Sequence, residues 1–459
     1  MNKLSAGFAR VNITPMMGIP VCGYYKERIA DGVLDELELN ALAVACEDKK
    51  AVIISADLCF FANDVADDYR AHIAQVTGLP VEAIILHATH THTGPELQKY
   101  AENAFGGSKM LKDSTDELMA EYFHQVRHRM ADVAAFALAD LKPARMGWAI
   151  GEAPNIAFIR RFRMKDGSVR TNPGVNNPDI LEPIGSVDER VNVVRFDREN
   201  ADSIVLVNFA DHPDTVGGNK ISGDWPALFR RSMEKALDNT KCVFINGIQG
   251  DVNHVNVWPT GGYLNDTFND FDDVSRGYGH ARFMGRVVTG GVLQVFDKVK
   301  YVDVESIHYL QKTIQVPSNM PKPEEMDEAR YIDEMHKAGR DAELPYEGMM
   351  LTTKVADAAR KLLLEHGPEF FEMKLIGLSI GEVSLLGIPG EPFTGVGRGL
   401  KESKAFELVM PACLTNGAQG YFPMRDAYEE GGYEAGSSRF KSGVAELIIE
   451  EGKALLEEL

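Results

Sequence analysis

The sequence predicts an α/β fold with mixed β-sheets and flanking helices. Short apolar runs that are rich in β-branched residues and bounded by turn formers are typical of buried strands. Longer segments with apolar residues at three-to-four spacing lie among these runs and are typical of amphipathic helices. Strands that alternate with helices favour a largely parallel or mixed sheet with helices packed against it.

Six runs carry the strand pattern and four segments carry the helix pattern. The predicted strands are Ala51–Ser55, Ala83–Leu86, Ile204–Phe209, Val243–Asn246, Val383–Gly387 and Leu408–Ala412. The predicted helices are Asp116–Leu141, Trp225–Leu237, Val355–Leu364 and Ser442–Leu456. These elements are spread over the chain, so the predicted fold class applies to both halves of the sequence.

Two stretches have a different composition. Ile156–Asp188 is rich in Arg, Pro, Gly and Asn and predicts a long excursion or hairpin over the body of the protein. Residues 320–348 are charged and helix-prone and predict a peripheral helical insertion. Because no long Gly, Ser or Pro linker separates two independent bodies, we expect one domain over residues 1–459.

The balance of charges excludes several classes of partner. The chain contains 48 Lys and Arg against 68 Asp and Glu, a net charge of −20. No basic stripe is left to neutralise phosphates, so we expect no nucleic acid. The acidic excess also disfavours adsorption to an anionic membrane. No apolar run approaches the roughly 18 residues of a spanning helix, so we expect no stable membrane insertion.

Cysteine usage and the N-terminus indicate a cytoplasmic protein. The five cysteines are an odd number without a CxxC pair, and most have apolar neighbours. This usage is typical of reduced core thiols in a reducing compartment. The N-terminal segment has no apolar stretch behind a basic start and therefore does not resemble a secretory signal. We expect a soluble, cytoplasmic protein.

Residues with chemical function follow the predicted strands. In open α/β sheets, ligands bind beyond the carboxyl ends of the strands. Side chains that can bind a metal or a substrate follow five of the predicted strands, namely His90 and His92, His212, Asp251 and Asn253, Glu391, and Tyr421. The sequence therefore predicts that these side chains share one pocket.

Histidines and a glutamate in this set predict a zinc site. His90 and His92 are two residues apart, so both imidazoles leave the same side of an extended segment. His87 has the opposite parity and is expected in the core. Two or three His with one Glu, here Glu391, match a catalytic zinc centre that keeps one position for water. We expect one Zn²⁺ per chain.

Three glycines follow Glu391 in the pattern GxGxG, at Gly395, Gly397 and Gly399. A dinucleotide fingerprint requires GxGxxG with an acidic residue at a set distance, and neither is present. The glycines instead predict a tight strand-to-helix turn.

The residues of the predicted pocket lie in motifs that resemble a known family. The motifs are GFARVNITP (Gly7–Pro15), THTHTGP (Thr89–Pro95), His212-Pro213 followed by SGD (Ser222–Asp224), GDV (Gly250–Val252), PGEPFT (Pro389–Thr394), and the block from Tyr421 to YEAGS (Tyr433–Ser437). They are similar, in the same order, to the N-terminal strand, THTHSGP, HP…SGD, GDVSPN, PGEFT and tyrosine motifs of the neutral/alkaline non-lysosomal ceramidases and their bacterial homologues. The motifs span nearly the whole chain, so the resemblance implies the ceramidase-like catalytic fold.

The resemblance implies a set of zinc ligands, namely His90, His212, Glu391 and Tyr421. Water would take the remaining position.

The resemblance also implies residues that act on the substrate. His92 and Tyr433 would contact the scissile amide or the departing amine. One arginine of the adjacent pair, Arg160 or Arg161, would contact the substrate. The acidic residues of the motifs, Asp224 and Asp251, would orient ligands or loop backbone, as carboxylates outside a ligand set do.

The sequence departs from the family in three respects. The serine of GDVSPN is Asn253, which cannot be activated as a nucleophile but can donate an amide N–H to a developing oxyanion. The extra β-sandwich domain of the ceramidases is not expected after the tyrosine block. The acidic balance and the absence of an apolar anchor favour a soluble substrate over the membrane lipid ceramide.

Together these features predict a zinc-dependent hydrolase that cleaves an amide bond of a small N-acyl substrate with a metal-activated water. His92 would move a proton toward the leaving amine. Tyr433 and Asn253 would stabilise the tetrahedral oxyanion. Two alternatives remain: a hydrolase of another soluble acyl or ester substrate, and a non-catalytic metal-containing scaffold that binds a ligand. Asn253 favours the scaffold, whereas the four retained ligand residues oppose it.

Overall fold

A computed structural model describes the protein over residues 4–24, 28–95, 97, 113–259 and 277–459. Its strands are β1 (Leu4–Asn12), β2 (Gly32–Val33), β3 (Glu38–Cys46), β4 (Lys49–Ala56), β5 (Ile84–Ala88), β6 (Lys142–Glu152), β7 (Phe158–Ile159), β8 (Arg161–Met164), β9 (Val169–Thr171), β10 (Ile180–Pro183), β11 (Arg190–Arg198), β12 (Ser203–Phe209), β13 (Lys220–Ile221), β14 (Thr240–Asn246), β15 (Val252–Asn253), β16 (Lys300–Val302), β17 (Ile307–Pro317), β18 (Phe370–Ile380), β19 (Val383–Gly387), β20 (Glu391–Pro392), β21 (Leu408–Ala412) and β22 (Tyr421–Phe422). Its helices are α1 (Asn63–Thr77), α2 (Asp113–Ala139), α3 (Asp224–Ala236), α4 (Tyr278–Leu293), α5 (Met326–Lys337), α6 (Gly348–Leu364), α7 (Thr394–Lys401), α8 (Arg425–Glu430), α9 (Tyr433–Ser437) and α10 (Val444–Glu458).

Two mixed sheets form the centre of the molecule. The larger sheet has the order β14-β12-β11-β6-β1-β3-β4-β5, with β16 also paired to β6. Its pairs β12/β14 and β4/β5 are parallel, and β1/β3, β3/β4, β6/β11 and β11/β12 are antiparallel. The second sheet has the order β17-β18-β19-β21, in which β19 and β21 are parallel. The predicted fold class, mixed sheets with flanking helices, is therefore confirmed.

The side chains of β3 show how the layers are arranged. Leu42 and Val44 belong to the apolar core that lies between the two sheets. Ala41 and Ala43 point the other way, into a core shared with α1 and α2. A third core packs α3 and α4 on β11, β12 and β14. Helices thus cover the outer faces of two stacked sheets, and strands buried on both faces are apolar along their whole length.

All six predicted strands are present, as β4, β5, β12, β14, β19 and β21. The bounds of β19 and β21 are those predicted, and the others differ by a few residues at their ends. The predicted helices correspond to α2, α3, α6 and α10. Helix α6 begins at Gly348, earlier than predicted. Its first two turns are partly exposed and carry little apolar periodicity, so the sequence pattern did not reveal them.

The three glycines after Glu391 do not form the predicted turn, since Gly395, Gly397 and Gly399 lie inside helix α7. A Cβ atom on each would lie within 3.1 Å of Met424, Ile248 or Ile449, respectively. The glycines therefore allow neighbouring side chains to approach the helix closely, and the prediction of a turn was wrong.

Both stretches of unusual composition form secondary structure. Within Ile156–Asp188, β8 pairs with β9 and β10 in a small antiparallel sheet, as expected of an excursion. Residues 320–348 include α5, and α6 follows directly. Arg360 of α6 donates to the carbonyl oxygen of Gly436 in α9 at 2.9 Å. The helical segment thus contacts the part of the chain that carries the tyrosine motif.

No helix in the described residues is both long and apolar enough to cross a bilayer.

A backbone junction joins the second sheet to the end of β5. The Leu86 N–H donates to Asn416 Oδ1 and the Asn416 N–H donates to the Leu86 carbonyl, both at 2.8 Å. The Ala88 N–H donates to the carbonyl of Leu414 at 3.2 Å. These bonds hold the loop after β21 against the strand that leads to His90.

Candidate metal centre

Four separate segments bring the predicted ligands together. His90 and His92 follow β5, His212 follows β12, and Glu391 is the first residue of β20. Strand β20 pairs in parallel with β22, which places Glu391 beside Tyr421 in register. The larger sheet supplies the histidines and the second sheet leads to the glutamate, so the site lies where the two sheets meet.

The donor atoms of three residues converge on one point. His90 Nε2 lies 3.1 Å from His212 Nε2 and 3.3 Å from Glu391 Oε2. His212 Nε2 lies 3.5 Å from the same carboxylate oxygen. Bonds of 2.0–2.1 Å in a tetrahedral site place ligand atoms about 3.3 Å apart. All three side chains are buried, and their spacing fits a Zn²⁺ ion.

Backbone carbonyls orient the two histidines of the cluster, His90 and His212. His90 Nδ1 lies 2.7 Å from the carbonyl oxygen of Cys59, to which it donates. His212 Nδ1 lies 3.4 Å from the carbonyl of Gln249. A proton held at Nδ1 leaves the Nε2 lone pair free, which is the tautomer that a metal requires. His90 also has a φ of 77°, a conformation that is unfavourable for a residue with a Cβ atom and that aims its ring at the centre.

His92 lies beside the cluster but is held differently. Its Nε2 is 3.2 Å from His90 Nε2. Its Nδ1 is buried and has no hydrogen-bond partner among the described residues. Gly23 has a φ of 110°, and a Cβ atom there would lie 2.6 Å from the His92 ring. Since no carbonyl fixes its tautomer, His92 differs from the two histidine ligands and can carry a proton on either nitrogen.

Burial favours the neutral form of three imidazoles, those of His212, His92 and His87. It lowers the pKa of His212 well below its usual range, and the positive charge of Arg160 lowers it further. Burial also lowers the pKa of His92 well below its usual range, with His90 adding to the effect. His87 lies in the core as predicted, and burial lowers its pKa to about 3. Neutral imidazoles are the form that binds a metal.

Tyr421 forms the other side of the centre. Its side chain is buried, and burial together with the Glu391 carboxylate raises the pKa of its phenol, while Arg160 opposes the rise. The ring of Tyr433, at the start of α9, lies 5.6 Å from the Tyr421 ring. The structure therefore brings both tyrosines of the predicted set together.

The adjacent arginines have different surroundings. Arg160 lies against Tyr421, with its Cζ 5.4 Å from the ring centroid. Arg161 donates instead to Glu430 at 3.1 Å and lies over the ring of Phe393. Of the two, Arg160 is the arginine beside the centre.

Asn253 is buried in the short strand β15. Its Nδ2 donates to Asn172 Oδ1 at 3.2 Å, and its Oδ1 accepts the N–H of Val255 at 3.1 Å. These bonds fix the carboxamide, which retains a second Nδ2 hydrogen as a possible donor.

The predicted outer carboxylates hold loop backbone. Asp251 accepts from the N–H of Thr394 at 2.7 Å and from its hydroxyl at 3.0 Å, at the start of α7. Asp224 accepts from the N–H of Val216 at 2.8 Å. Burial raises the pKa of Asp224 to about 7.

A carboxylate–imidazole pair and a buried glutamate near the centre were not predicted from the sequence. Asp214 Oδ1 lies 3.1 Å from His254 Nδ1, with both side chains buried. Burial opposes ionisation of Asp214, but the His254 hydrogen bond and the surrounding imidazoles hold its pKa well below the usual range. Glu434 is fully buried and pairs with Arg160 at 2.7 Å. Asp214 lies next to the His212-Pro213 motif and Glu434 lies within the YEAGS motif, but the partner of each comes from a distant segment.

Known structures with this fold include two ceramidases. The chain is similar to the crystal structure of neutral ceramidase from Pseudomonas aeruginosa, with a TM-score of 0.73 and 17% identity over 100% of this chain and 75% of that chain. It is equally similar to a ceramidase complexed with C2, with a TM-score of 0.72 and 17% identity over 100% of this chain and 76% of the other. No protein-family model and no curated protein sequence matches the chain. The resemblance inferred from motif order is thus confirmed for the fold.

Proposed function

We propose that the protein is a zinc-dependent hydrolase that cleaves the amide bond of a small N-acyl substrate. The observation that carries the proposal is the convergence of His90 Nε2, His212 Nε2 and Glu391 Oε2 within 3.1–3.5 Å in a buried site. The fold shared with two ceramidases supports the reaction class, because both are named for the cleavage of an N-acyl bond.

His90, His212, Glu391 and Tyr421 would hold one zinc ion. A donor set of imidazoles with a carboxylate is typical of catalytic zinc sites, and it differs from the cysteine-rich sets of structural sites. Bound there, the ion would supply a Lewis acid for the scissile carbonyl and would lower the pKa of a water molecule to about 7. Tyr421 would complete the ligand set from the register position opposite Glu391.

Two residues of the chain would handle protons and substrate. His92 has a buried Nδ1 that makes no bond to a described residue, and its Nε2 faces the cluster. It would therefore carry the proton that the departing amine needs. Tyr433 is partly exposed beside Tyr421, at the wall of the site, and would donate its hydroxyl to the oxyanion.

Arg160 and Asn253 would contact the substrate on the same wall. Arg160 presents a fixed guanidinium beside Tyr421. Asn253 has its carbonyl oxygen committed to Val255, so it would act as a donor and not as a nucleophile. The net charge of −20 favours a substrate taken from solution over one taken from an anionic lipid surface.

Metal analysis and a substrate panel test this proposal together. Purified protein should contain one zinc per chain, and a panel of soluble N-acyl amides should include a member whose turnover stops with chelator and returns with Zn²⁺. His90→Ala and Glu391→Ala should lose both metal and turnover, because each removes a ligand. His308→Ala, at an exposed histidine on β17, is the matched control and should keep both.

Two results would count against the proposal. Protein without stoichiometric metal, whose activity is unchanged in His90→Ala and Glu391→Ala, would remove the metal centre altogether. Stoichiometric zinc without turnover on any amide or ester of the panel would favour the non-catalytic scaffold.

A further inference from the structure

Glu434 is a buried carboxylate for which the proposed chemistry has no direct use. It is the second residue of α9, next to Tyr433, and its side chain is 0% exposed. A charge in such a place is strongly unfavourable unless it is paired and hydrogen bonded. The partners of Glu434 therefore indicate why the residue is present.

Both carboxylate oxygens of Glu434 have a partner. Arg160 Nε donates to Oε1 at 2.7 Å, and the Arg160 side chain is 5% exposed. The hydroxyl of Thr171, the last residue of β9, donates to Oε2 at 2.8 Å. The carboxylate thus ties α9 to the excursion that carries Arg160.

Arg160 in turn lies between Glu434 and the candidate metal centre. Its Nη2 donates to the carbonyl oxygen of Gly250 at 2.8 Å. Its Cζ lies 5.4 Å from the Tyr421 ring centroid, so the guanidinium lies against that ring. A guanidinium is rigid and planar, so the hydrogen bonds from Nε and Nη2 also fix the orientation of the whole group beside the Tyr421 ring.

The Gly250 contact links Arg160 to a second ligand. A Cβ atom on Gly250 would lie 2.4 Å from the Glu391 carbonyl oxygen, so the two backbones touch. Arg160 therefore bridges the loop behind Glu391 and the side chain of Tyr421. Its orientation affects two of the four proposed ligands.

We propose that Glu434 is a positioning residue which, through Arg160, holds the Tyr421 side of the metal centre in place. The expected effect on kcat rests on the proposed function. The expected effect on zinc affinity requires only that the centre binds zinc. Residues outside a ligand set that orient the ligands commonly change metal affinity or activity by about 10–100-fold when mutated.

A neighbouring ion pair provides the matched control. Arg161 Nη2 lies 3.1 Å from Glu430 Oε2, four residues before Glu434, and Arg161 lies over Phe393. This pair has the same chemistry as Arg160–Glu434, and its arginine is directed to a different ring. Glu430 also pairs with Arg163 at 2.8 Å, so Glu430→Gln removes a carboxylate that is paired with arginines but makes none of the described contacts to Tyr421.

The first measurement is the zinc affinity of purified protein, determined by competition with a chromophoric chelator. Glu434→Gln should bind Zn²⁺ about 10–100-fold more weakly than the unmodified chain. On a substrate that the unmodified chain cleaves, kcat should fall in the same variant with KM little changed. Glu430→Gln should match the unmodified chain in both measurements, and equal losses in the two variants would overturn the inference.

A double variant separates positioning from a general effect on folding. If Glu434 acts through Arg160 on Tyr421, Glu434→Gln should weaken zinc binding less in the Tyr421→Phe background than in the unmodified chain. Losses that add in the double variant would overturn the inference.

Thr171→Val removes only the second bond to Glu434 and should give a smaller loss in the same direction. It also provides the decisive measurement if Glu434→Gln does not fold, since unchanged zinc affinity in Thr171→Val would then refute the inference.

The two proposals fail in different ways. A chain that binds zinc but cleaves no N-acyl substrate would overturn the proposed function, and the zinc affinities of Glu434→Gln and Glu430→Gln would still decide the role of Glu434. A chain that does not bind zinc would overturn both.

Discussion

At the scale of single residues, groups outside the ligand set determine what each histidine can do. His90 and His212 donate from Nδ1 to backbone carbonyls and so present Nε2 to the centre. His92 has no such bond to a described residue, and His87 is turned into the core. Four histidines close in space thus have three different environments, and only the environment distinguishes a ligand from a proton carrier or a packing residue.

The buried His87 predicts a dependence of stability on pH. Its Nε2 accepts the N–H of Asn246 at 2.8 Å, and burial lowers its pKa to about 3. In the unfolded chain the pKa is about 6.5, so between these values the unfolded chain binds a proton that the folded chain does not. Stability is therefore complete above about pH 6.5 and is lost progressively as the pH falls toward 3.

Urea unfolding at pH 7 and pH 5 measures this effect. The unmodified chain should lose about 2 kcal/mol more unfolding free energy between these pH values than His87→Gln, which cannot bind the proton. His308→Ala, at an exposed histidine, should follow the unmodified chain. Equal pH dependence in His87→Gln and the unmodified chain would show that His87 does not make this contribution.

The convergence of the proposed ligand residues was predictable from sequence, whereas their supporting partners were not. His90, His212 and Glu391 have chemically distinctive side chains at the ends of apolar runs. Glu434 and Arg160 are 274 positions apart in the chain, and Asp214 and His254 are 40 apart. Such pairs become visible only once the fold has brought the segments together, because neither member is unusual in its local sequence.

At the scale of elements, the helical segment around residues 320–364 supports the wall of the site. Arg360 of α6 donates to the carbonyls of Gly436 and Asn319, at 2.9 and 2.7 Å. Gly436 lies in α9, the short helix that carries Tyr433 and Glu434. A helix of five residues has little stability of its own, so it depends on tertiary contacts such as these.

Arg360→Ala should therefore weaken both the fold and the site. Removing the guanidinium leaves two backbone carbonyls without a donor, and we expect a loss of about 2 kcal/mol in the free energy of unfolding. Turnover should fall as well, because α9 carries Tyr433. Denaturant unfolding and kcat on a cleaved amide measure the two effects.

Arg330→Ala, at a half-exposed ion pair on α5, is the control and should change the unfolding free energy by less than about 0.5 kcal/mol. If Arg360→Ala behaved like this control in both measurements, α6 would have no role in holding α9.

Helix α7 shows where element prediction fails. Its three glycines lower helix propensity, so local sequence favours a turn. Asp251, from the loop after β14, accepts from the N–H and hydroxyl of Thr394 and so satisfies the first turn of the helix. The side chains of Met424, Ile248 and Ile449 pack against the positions left open by the glycines. Tertiary contacts thus override the local preference in α7. In β19 and β21 the local sequence and the tertiary structure agree, so the apolar runs alone predicted both strands.

At the scale of the whole molecule, the candidate centre joins the two sheets. The histidines lie at the ends of strands of the larger sheet, and Glu391 follows β19 of the second sheet. A bound ion would therefore stabilise the arrangement of both sheets and not only a local loop. Its contribution follows from mass action, since a ligand that binds the folded chain alone stabilises it in proportion to RT ln(1 + [L]/Kd).

Removal of the metal should lower the stability of the entire chain. At free zinc 1,000-fold above Kd the expected loss on chelation is about 4 kcal/mol, seen as a lower midpoint in thermal unfolding. Glu391→Ala lacks a ligand, so its midpoint should not respond to chelator. A midpoint that is insensitive to chelator in the unmodified chain would show that no tightly bound ion stabilises the fold.

The wide separation of the ligands along the chain has a consequence for biosynthesis. The first proposed ligand is residue 90 and the last is residue 421. Ribosomes add about 5–20 residues per second, and the N-terminal parts of a chain begin to fold first. Synthesis thus completes the two proposed histidine ligands many seconds before the carboxylate and the phenol. The full set of proposed ligands exists only once residue 421 has been synthesised, so an ion held by all four would bind after that point.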